Sequence, residues 1–533
     1  MVLQRCWLRK IGGSQMSARA AGPGRAPGAP LVGVLALALL AGCSEPPAVE
    51  GWTPPGWDDH AGVRLAASDT DTAAALNDLG FIRMRIRNDA AGYQARYVQI
   101  AGAGEFNKRV DAMIRAPLAQ LPFTPEAFPS GSGLADRGCL PGSAGWDADR
   151  VLTDPATGPA NATGTAITCE VIAAFGSIVG VTMRTVTGTA GTVTADQKTT
   201  LYADVAGGTV TDAAAFWKPD AASDVWTRTV EQLRRQAGGL SSAPIAPPSD
   251  EQTALAAQAL ADVRERDDGT ATITLPPGIA SPELAGLGLD QTTAATSIEA
   301  DSDLLAGWQT DAAAALENQR NTPFAGLPAW NASLPVDCSL HTCVAVTYDD
   351  GPGPYTKDLL KTLLAAQAGA TFFMQGKNIT GNTDIVRAVA ADGHDIGSHT
   401  MTHPDLTKVG PDKDRAEVVG CADLIAGITG EPVTFFRPPY GAVNDAVLAA
   451  IGKPAILWSI DTNDWQGPGR SALIQRSVPV SKPGDIILFH DTHRDSVTAA
   501  SDVMAGLQDR GFTPVTLTQL FGGKIPPGKV TRR

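Results

Sequence analysis

Residues 343–356 read CVAVTYDDGPGPYT, and the rest of the chain is organised around this stretch. Its apolar run, residues 344–346, is typical of a buried strand. The run leads into two adjacent carboxylates, Asp349 and Asp350, and then into a Gly-Pro turn. Adjacent side chains of a strand point to opposite faces, so one acid can hold a metal while the other handles a proton. On these residues alone a solvated turn is the simpler interpretation, because Asp-Asp-Gly-Pro is good turn chemistry.

The composition indicates an acidic, mostly globular protein. The chain has 533 residues, of which 43% are hydrophobic and 18% are charged, and this length allows two or three domains with cores of their own. The formal net charge is −14, and the first 43 residues contain five basic residues and no acidic residue. This balance argues against nucleic acid as a partner, because neutralising phosphates needs basic surface.

The N-terminus has the pattern of an export signal. Basic residues precede an apolar run at residues 31–40, which is too short to span a bilayer. The run ends in Leu-Ala-Gly before Cys43, which resembles the bacterial lipobox, in which the cysteine is acylated and becomes the first residue of the mature protein. The alternatives are an ordinary cleaved signal and a buried helix with an incidental cysteine.

We therefore predict a lipoprotein signal peptide at residues 1–43 and a proline-rich, extended tether at residues 44–60. Either Met1 or Met16 is the start of translation. A lipid on Cys43 would anchor the protein to the outer face of the bacterial cytoplasmic membrane, within the cell envelope.

Cysteine usage agrees with export. Outside the cytoplasm, cysteines that are close in sequence are candidates for disulfide bonds. We predict the pairs Cys338–Cys343 and Cys139–Cys169, with Cys421 left as a buried thiol. A four-cysteine zinc cluster is disfavoured because the sequence has no paired CxxC spacing.

The middle of the chain, residues 61–320, predicts an α+β domain without catalytic residues. Strands are expected at 81–86, 95–100 and within 181–205, and amphipathic helices at 103–118 and 214–235. The segments EFNKRVDAMI and YADVAGGTVTDAAAFWKP resemble the extracellular domain of the RsiV anti-sigma factors, a module that also accompanies some peptidoglycan deacetylases.

The C-terminal part, residues 325–525, alternates apolar strand candidates with helix candidates. The strands are expected at 343–347, 370–374, 394–397, 433–436, 455–459 and 485–489, and the first two helices at 356–366 and 384–392. Such alternation predicts a parallel sheet wrapped by helices and closed into a barrel, with the chemistry at the carboxyl ends of the strands.

Six of the seven histidines lie between residues 341 and 493, and two of them are four residues apart in HTMTH. On one helical turn His399 and His403 would share a face and grip one metal ion. A carboxylate from the first strand would complete a three-ligand site with open positions. Zinc hydrolases use such a site, and so do non-haem iron oxygenases.

Three further segments supply charged groups near strand ends. Arg437 stands in the rigid loop RPPYG and is suited to face a carboxylate. Asp461 begins DTNDW after one strand, and His490 ends another strand in LFH. A histidine that is oriented and charged by a separate aspartate is suited to general acid–base catalysis. Each group taken singly is as well explained by a turn or a buried core contact.

Together the segments TYDD, HTMTH, RPPYG, DTNDW and LFH, in this order, resemble the polysaccharide deacetylase family with the NodB homology domain, carbohydrate esterase family 4. The family usually has Phe where Tyr348 stands. The resemblance implies a distorted (β/α) barrel, which agrees with the alternation of elements.

The resemblance also implies a role for each motif residue. Asp350, His399 and His403 would ligate a divalent metal, with zinc expected. Asp349 would be the general base acting on water, and Arg437 would hold it in place. The remaining implied roles are an oxyanion donor in the backbone N–H of Tyr440, a general acid in His490 tuned by Asp461, and an acetyl pocket walled by Trp465 and Leu488.

The implied substrate is an N-acetylated glycan polymer, and the export signal and the RsiV-like segments favour peptidoglycan. Chitin-like oligomers and acetylxylan are the alternative substrates. A non-catalytic wall-binding lipoprotein is a further alternative, but every position of the motifs that would handle a proton carries a residue able to do so. A metal-dependent oxygenase would leave Arg437, Asp461 and His490 without roles.

Overall fold

The computed structural model describes residues 63–65, 76, 79–239, 243–261, 263–265, 270–319 and 322–533. Cys43, the predicted signal peptide and the predicted tether lie outside the described residues. Within the described ranges, no helix is both long enough and apolar enough to cross a membrane.

The first half of the described chain builds two sheets. Six strands form one sheet in chain order, antiparallel except for one parallel pair in the middle, and four short strands form an antiparallel sheet. The first sheet contains β2 (Ile82–Asn88), β3 (Tyr93–Gln99), β4 (Thr163–Phe175), β5 (Ile178–Thr189), β6 (Thr192–Asp204) and β7 (Thr209–Asp212). The second contains β1 (Val63–Leu65), β8 (Arg264–Glu265), β9 (Ala271–Leu275) and β10 (Thr296–Ala300).

Helices cover these sheets, and two predicted helices differ from the structure at prolines. The helix predicted at 103–118 ends at Arg115 and continues as a 3-10 turn, because Pro117 cannot continue the α-helical hydrogen bonding. The helix predicted at 214–235 begins only at Ala221, after Pro219. The helices of this half are Gly104–Arg115, Ala148–Thr153, Ala221–Gln236, Asp250–Ala261, Pro282–Ala285, Ser302–Trp308 and Asp311–Glu317.

The second half is an α/β barrel built around one buried strand, as the alternation of elements predicted. All eight residues of β11 (Thr342–Asp349) are buried. It pairs in parallel with β12 (Thr371–Met374) on one side and with β16 (Ile486–His490) on the other, while β17 (Phe512–Val515) pairs with its beginning. The carboxyl ends of these strands therefore meet at one edge, where Asp349 and Asp350 lie.

The barrel is distorted where its strands become very short. β13 (Asp395–Ser398) pairs with β12, and single parallel bridges through Phe436 lead on to β14 (Ala455–Ile456). β15 (Ile460–Asp461) then returns to pair with β16, and β18 (Lys529–Val530) pairs with β14. The strand predicted at 433–436 is thus reduced to one residue, Phe436, with a bridge on each side, and the strand predicted at 455–459 is reduced to two residues.

Helices pack around this barrel and bury apolar side chains against it. The helix predicted at 356–366 has those bounds in the structure, and the one predicted at 384–392 spans Thr383–Ala391. The helices of this half are Thr356–Ala366, Gly376–Ile379, Thr383–Ala391, Pro411–Thr429, Asp445–Ile451, Arg470–Ser477, Arg494–Asp509 and Leu517–Leu520.

A segment of the first half, residues 124–138, packs directly on the barrel, and we call it the strap. The Thr342 hydroxyl donates to the Glu126 carbonyl over 2.7 Å. Phe128 and Arg510 exchange two hydrogen bonds, of 3.0 Å from the Phe128 amide and 2.7 Å from Arg510 Nε. The strap therefore accepts from two side chains of the barrel and donates to one of its backbone carbonyls, next to β17.

Both predicted cysteine pairs are bonded in the structure. Cys139 is joined to Cys169, and Cys338 is joined to Cys343. Cys338 lies shortly before β11, and Cys343 is the second residue of this strand. Cys421 is a buried free thiol. The second disulfide closes a short loop directly upstream of the strand that carries Asp349.

Candidate active site

The two carboxylates at the end of β11 are separated by a change in backbone conformation. Asp349 is the last residue of the strand and is only 3% exposed. Asp350 follows with φ +71°, in the left-handed region that non-glycine residues seldom occupy. The acids therefore face different partners, as the sequence predicted.

Asp350, His399 and His403 come together as one candidate metal centre. One ligand atom from each lies within 4.8 Å of the others. Asp350 Oδ1 is 3.5 Å from His399 Nε2 and 3.6 Å from His403 Nε2. One carboxylate and two imidazoles are a donor set that suits zinc and other divalent transition metals.

The surroundings of the two histidines also fit a metal. His399 Nδ1 is 2.8 Å from the Arg437 carbonyl, and His403 Nδ1 is 3.2 Å from the Tyr440 hydroxyl. Metal-binding histidines usually engage their second ring nitrogen in this way. Burial, reinforced by His399, lowers the pKa of His403, which favours the neutral imidazole that a metal needs.

The backbone that presents these histidines is not the predicted helical turn. β13 ends at Ser398, and the following residues form a tight loop in which Thr400 and His403 have φ values of +66° and +67°. The loop, rather than helical periodicity, brings the two rings together. The helical interpretation of HTMTH was therefore wrong, although the pairing of its histidines is present.

Arg437 and Asp349 form a buried ion pair beside the ligand set. Arg437 is 0% exposed, and its Nη1 donates to Asp349 Oδ1 over 2.8 Å and to the Thr347 hydroxyl over 2.7 Å. Two backbone carbonyls, of Ile456 and Leu457, accept from its remaining nitrogens. The other carboxylate oxygen of Asp349 lies 3.8 Å from His399 Nε2, so the acid is held at the edge of the metal centre.

His490 lies beside Asp349 because β11 and β16 pair in register at these two residues. Its Nε2 is 4.0 Å from Asp350 Oδ2, and its Nδ1 is 2.8 Å from Asp464 Oδ1. The His490 amide donates to the other oxygen of Asp464 over 2.7 Å. The buried carboxylate of Asp464 therefore fixes both the backbone and the ring of His490.

The partner of His490 is thus Asp464, and the prediction that Asp461 tunes this histidine was wrong. Asp461 is exposed, and its carboxylate accepts from the backbone amide of Asn463 over 2.8 Å. In the strand register Asp461 is opposite Leu488, two residues short of His490. The 3-10 turn Asp464–Gln466 carries the second aspartate of DTNDW back to His490.

The environment of His490 favours its charged form. Burial lowers the pKa of this imidazole, but the Asp464 hydrogen bond and the nearby charges of Asp349 and Asp350 outweigh burial and raise the pKa to about 9. The group is accordingly protonated at neutral pH. A charged imidazole and the buried carboxylate of Asp349 therefore both lie next to the ligand set.

The residues expected to contact substrate lie at different depths. Tyr440 is 72% exposed on the rim, in the turn Pro439–Gly441, with φ +59°. Trp465 is 57% exposed and directly follows Asp464. Leu488 is buried in β16, two residues before His490. Two of these three side chains are therefore exposed, and the third is buried.

Sequence reasoning missed a third buried acid at this edge. Asp491 directly follows His490, is fully buried, and accepts from the Thr356 hydroxyl over 2.5 Å. Burial and the nearby charges of Asp350 and Asp349 raise its pKa, while the Thr356 hydrogen bond lowers it, and the resulting pKa is about 7. The only signal in the sequence was its place after His490 at a strand end.

The fold and the site together define a class of protein, the parallel α/β barrels with a candidate metal site of one carboxylate and two imidazoles at the strand ends. A family model described as polysaccharide deacetylase matches residues 338–454. A chitooligosaccharide deacetylase of Bradyrhizobium is 34% identical over 203 residues, which cover 34% of this chain and 93% of that protein. The chain belongs to the polysaccharide deacetylase family.

Two further matches complete the comparison. The peptidoglycan-N-acetylglucosamine deacetylase PgdA of Listeria monocytogenes is 34% identical over 187 residues, covering 35% of this chain and 40% of that protein. The chain thus spans about two fifths of the length of this relative. A solved family 4 carbohydrate esterase from Streptomyces lividans in complex with acetate is 29% identical, covers 35% of this chain and 97% of its own, and has a TM-score of 0.33.

Proposed function

We propose that the chain is a metal-dependent N-deacetylase that hydrolyses acetamido groups of an amino-sugar polymer. The observation that carries the proposal is the arrangement of the Asp349–Arg437 and Asp464–His490 pairs around the ligand set of Asp350, His399 and His403. Amide hydrolysis needs a base for water, a stabilised oxyanion and a proton for the departing amine.

The proposed roles follow from what each side chain touches. Asp349 accepts the proton of the attacking water, and Arg437 holds its carboxylate in one orientation. His490 enters the reaction charged and donates its proton to the leaving nitrogen, while Asp464 keeps the ring oriented. The Tyr440 backbone N–H is the proposed oxyanion donor, and Trp465 and Leu488 are the proposed contacts of the acetyl methyl.

The metal that we propose is zinc, held by Asp350, His399 and His403. A divalent cation at this place would act as a Lewis acid toward water and the acetamido carbonyl. Two imidazoles and a single carboxylate suit zinc better than magnesium or calcium, which prefer oxygen ligands.

We further propose that the natural substrate is peptidoglycan and that the protein is anchored in the cell envelope by a lipid on Cys43. The lipobox-like end of the apolar run and the relative named as a peptidoglycan deacetylase support this choice. The first half of the chain, with its RsiV-like segments, is then the part that engages the wall. The chitooligosaccharide deacetylase relative supports a second candidate substrate, soluble chitin-like oligomers.

The test is acetate release by the purified zinc-loaded chain from three substrates, namely peptidoglycan, chitin oligomers and acetylxylan. Faster release from peptidoglycan supports the proposal, and faster release from chitin oligomers selects the alternative. Release from acetylxylan alone would identify an O-deacetylase. A zinc-loaded chain that binds peptidoglycan but releases no acetate from any of them would be a non-catalytic wall-binding protein.

A further inference from the structure

Directly after β12 lies Gln375, whose buried amide has no part in the roles assigned above. Its side chain is 3% exposed, and its Nε2 donates a hydrogen bond to Asp350 Oδ1. This oxygen is the one that lies within 3.6 Å of both imidazoles of the candidate metal centre. Gln375 Oε1 is buried and has no hydrogen-bond partner among the described residues, so the amide is directed at Asp350 alone.

The same segment also holds the backbone around Asp350. Asn378 Nδ2 donates to the Asp350 carbonyl over 2.7 Å, and the backbone N–H of Gln375 donates to the Gly351 carbonyl over 2.9 Å. Asp350 has φ +71°, and such a conformation persists where its surroundings over-determine it. Three hydrogen bonds from residues 375–378 thus fix both the turn and the carboxylate that the turn presents.

A carboxylate oxygen has two lone pairs, so Asp350 Oδ1 can accept from an amide and still bind a cation. Partners of this kind around metal ligands orient the ligand, and their loss commonly weakens metal binding by about 10–100-fold.

We propose that Gln375 is a positioning residue that orients the Asp350 carboxylate for the metal, an inference that rests on the proposed function. Gln375 acts through Asp350 and does not touch the substrate. Its contribution is therefore to metal affinity, and it is separable from the acid–base steps of Asp349 and His490.

The experiment measures the Zn²⁺ dissociation constant of the full chain by competition with a chelator, alongside the melting temperature of the metal-free protein. The variants are Gln375→Leu, which keeps the size and removes the amide, and Gln375→Asn, whose amide is one methylene too short to reach Asp350. The matched control is Gln508→Leu, which removes an amide bonded to the Ala366 carbonyl elsewhere in the barrel.

We expect both Gln375 variants to bind Zn²⁺ about 10–100-fold more weakly than the wild type. The control should stay within twofold, and the metal-free melting temperatures of Gln375→Leu and Gln508→Leu should fall by similar amounts. Affinity within twofold of wild type in a folded Gln375 variant would overturn the inference alone. A wild-type chain that takes up no Zn²⁺ would overturn the proposed function with it.

Discussion

The two halves of the chain each contain a fully buried arginine paired with an aspartate, and the two pairs differ in what surrounds the acid. In the first half Arg96 donates two hydrogen bonds to Asp136, whose side chain is 65% exposed. Arg96 Nε donates a third hydrogen bond to the Gly138 carbonyl. In the barrel Arg437 pairs with Asp349, which is 4% exposed as a side chain and lies beside His399. Both pairs fix a loop to a sheet.

The surroundings of the acid distinguish a structural ion pair from one that is suited to catalysis. The Asp136 carboxylate faces water and accepts hydrogen bonds from the guanidinium of a buried arginine. Its role is therefore structural. The Asp349 carboxylate is taken out of water, which is costly, and keeps one oxygen free of Arg437 at the edge of the ligand set. A buried acid with an unused oxygen beside metal ligands is a candidate base.

The largest effect is expected for Asp349→Asn, because it removes the base and keeps the shape of the side chain. Turnover should fall by about 10²–10⁴-fold, the usual contribution of general base catalysis. Zinc content should stay at the wild-type level, since Asp350, His399 and His403 are untouched. Metal analysis and acetate release on the same sample check both parts. Loss of zinc together with turnover would instead make Asp349 a metal ligand.

The next largest effect concerns His490, the proposed general acid, and it distinguishes Asp464 from Asp461 as its partner. His490 must be protonated to donate, and a pKa raised to about 9 keeps it so until the pH rises through that value. Asp464→Asn removes the carboxylate whose hydrogen bond and charge raise the pKa of His490, while the charges of Asp349 and Asp350 remain. The pKa therefore falls, and the base limb of the pH–rate profile moves to lower pH. The rate should fall by roughly one to two orders of magnitude, less than the full contribution of an acid.

Asp461→Asn is the matched control for this experiment, because Asp461 is exposed and its carboxylate accepts from the backbone amide of Asn463 rather than from His490. Its rate and its base limb should both match the wild type. A base limb that stays in place in Asp464→Asn, or moves in Asp461→Asn, would refute the acid–base assignment.

The smallest catalytic effect is expected in the first half of the chain. Arg96→Met removes a buried cation and leaves Asp136 in water, so it should lower the free energy of unfolding by about 1–3 kcal/mol. The rate on a soluble chitin oligomer should remain within twofold of wild type. Denaturant unfolding and acetate release measure the two quantities. A large loss of rate in folded Arg96→Met would mean that the first half shapes the active site, for example through the strap.

The candidate site was largely predictable because strand ends in a parallel barrel converge. Once β11 and β16 were placed, Asp349 and His490 had to be neighbours, and the structure pairs them in register. Asp350, His399 and His403 followed from ligand type and from the family resemblance.

The errors arose where short-range geometry decided the outcome. Which aspartate meets His490 depends on β15 ending at Asp461 and on the 3-10 turn that follows, and neither is visible in DTNDW. A spacing of four residues fits a helix and also a loop with left-handed residues, so HTMTH did not reveal its backbone. The strap and Gln375 act through contacts between residues far apart in sequence, for which one sequence has no signal.

Amide hydrolysis at the candidate metal centre is the central proposal, and one measurement tests it directly. Acetate and free amino groups are quantified together after the purified chain acts on peptidoglycan, first with zinc, then after removal of zinc, and again after its return. We predict equal molar amounts of acetate and amine, both lost without zinc and both restored with it. A zinc-loaded, folded chain that produces neither, or that produces acetate without amine, would contradict the account.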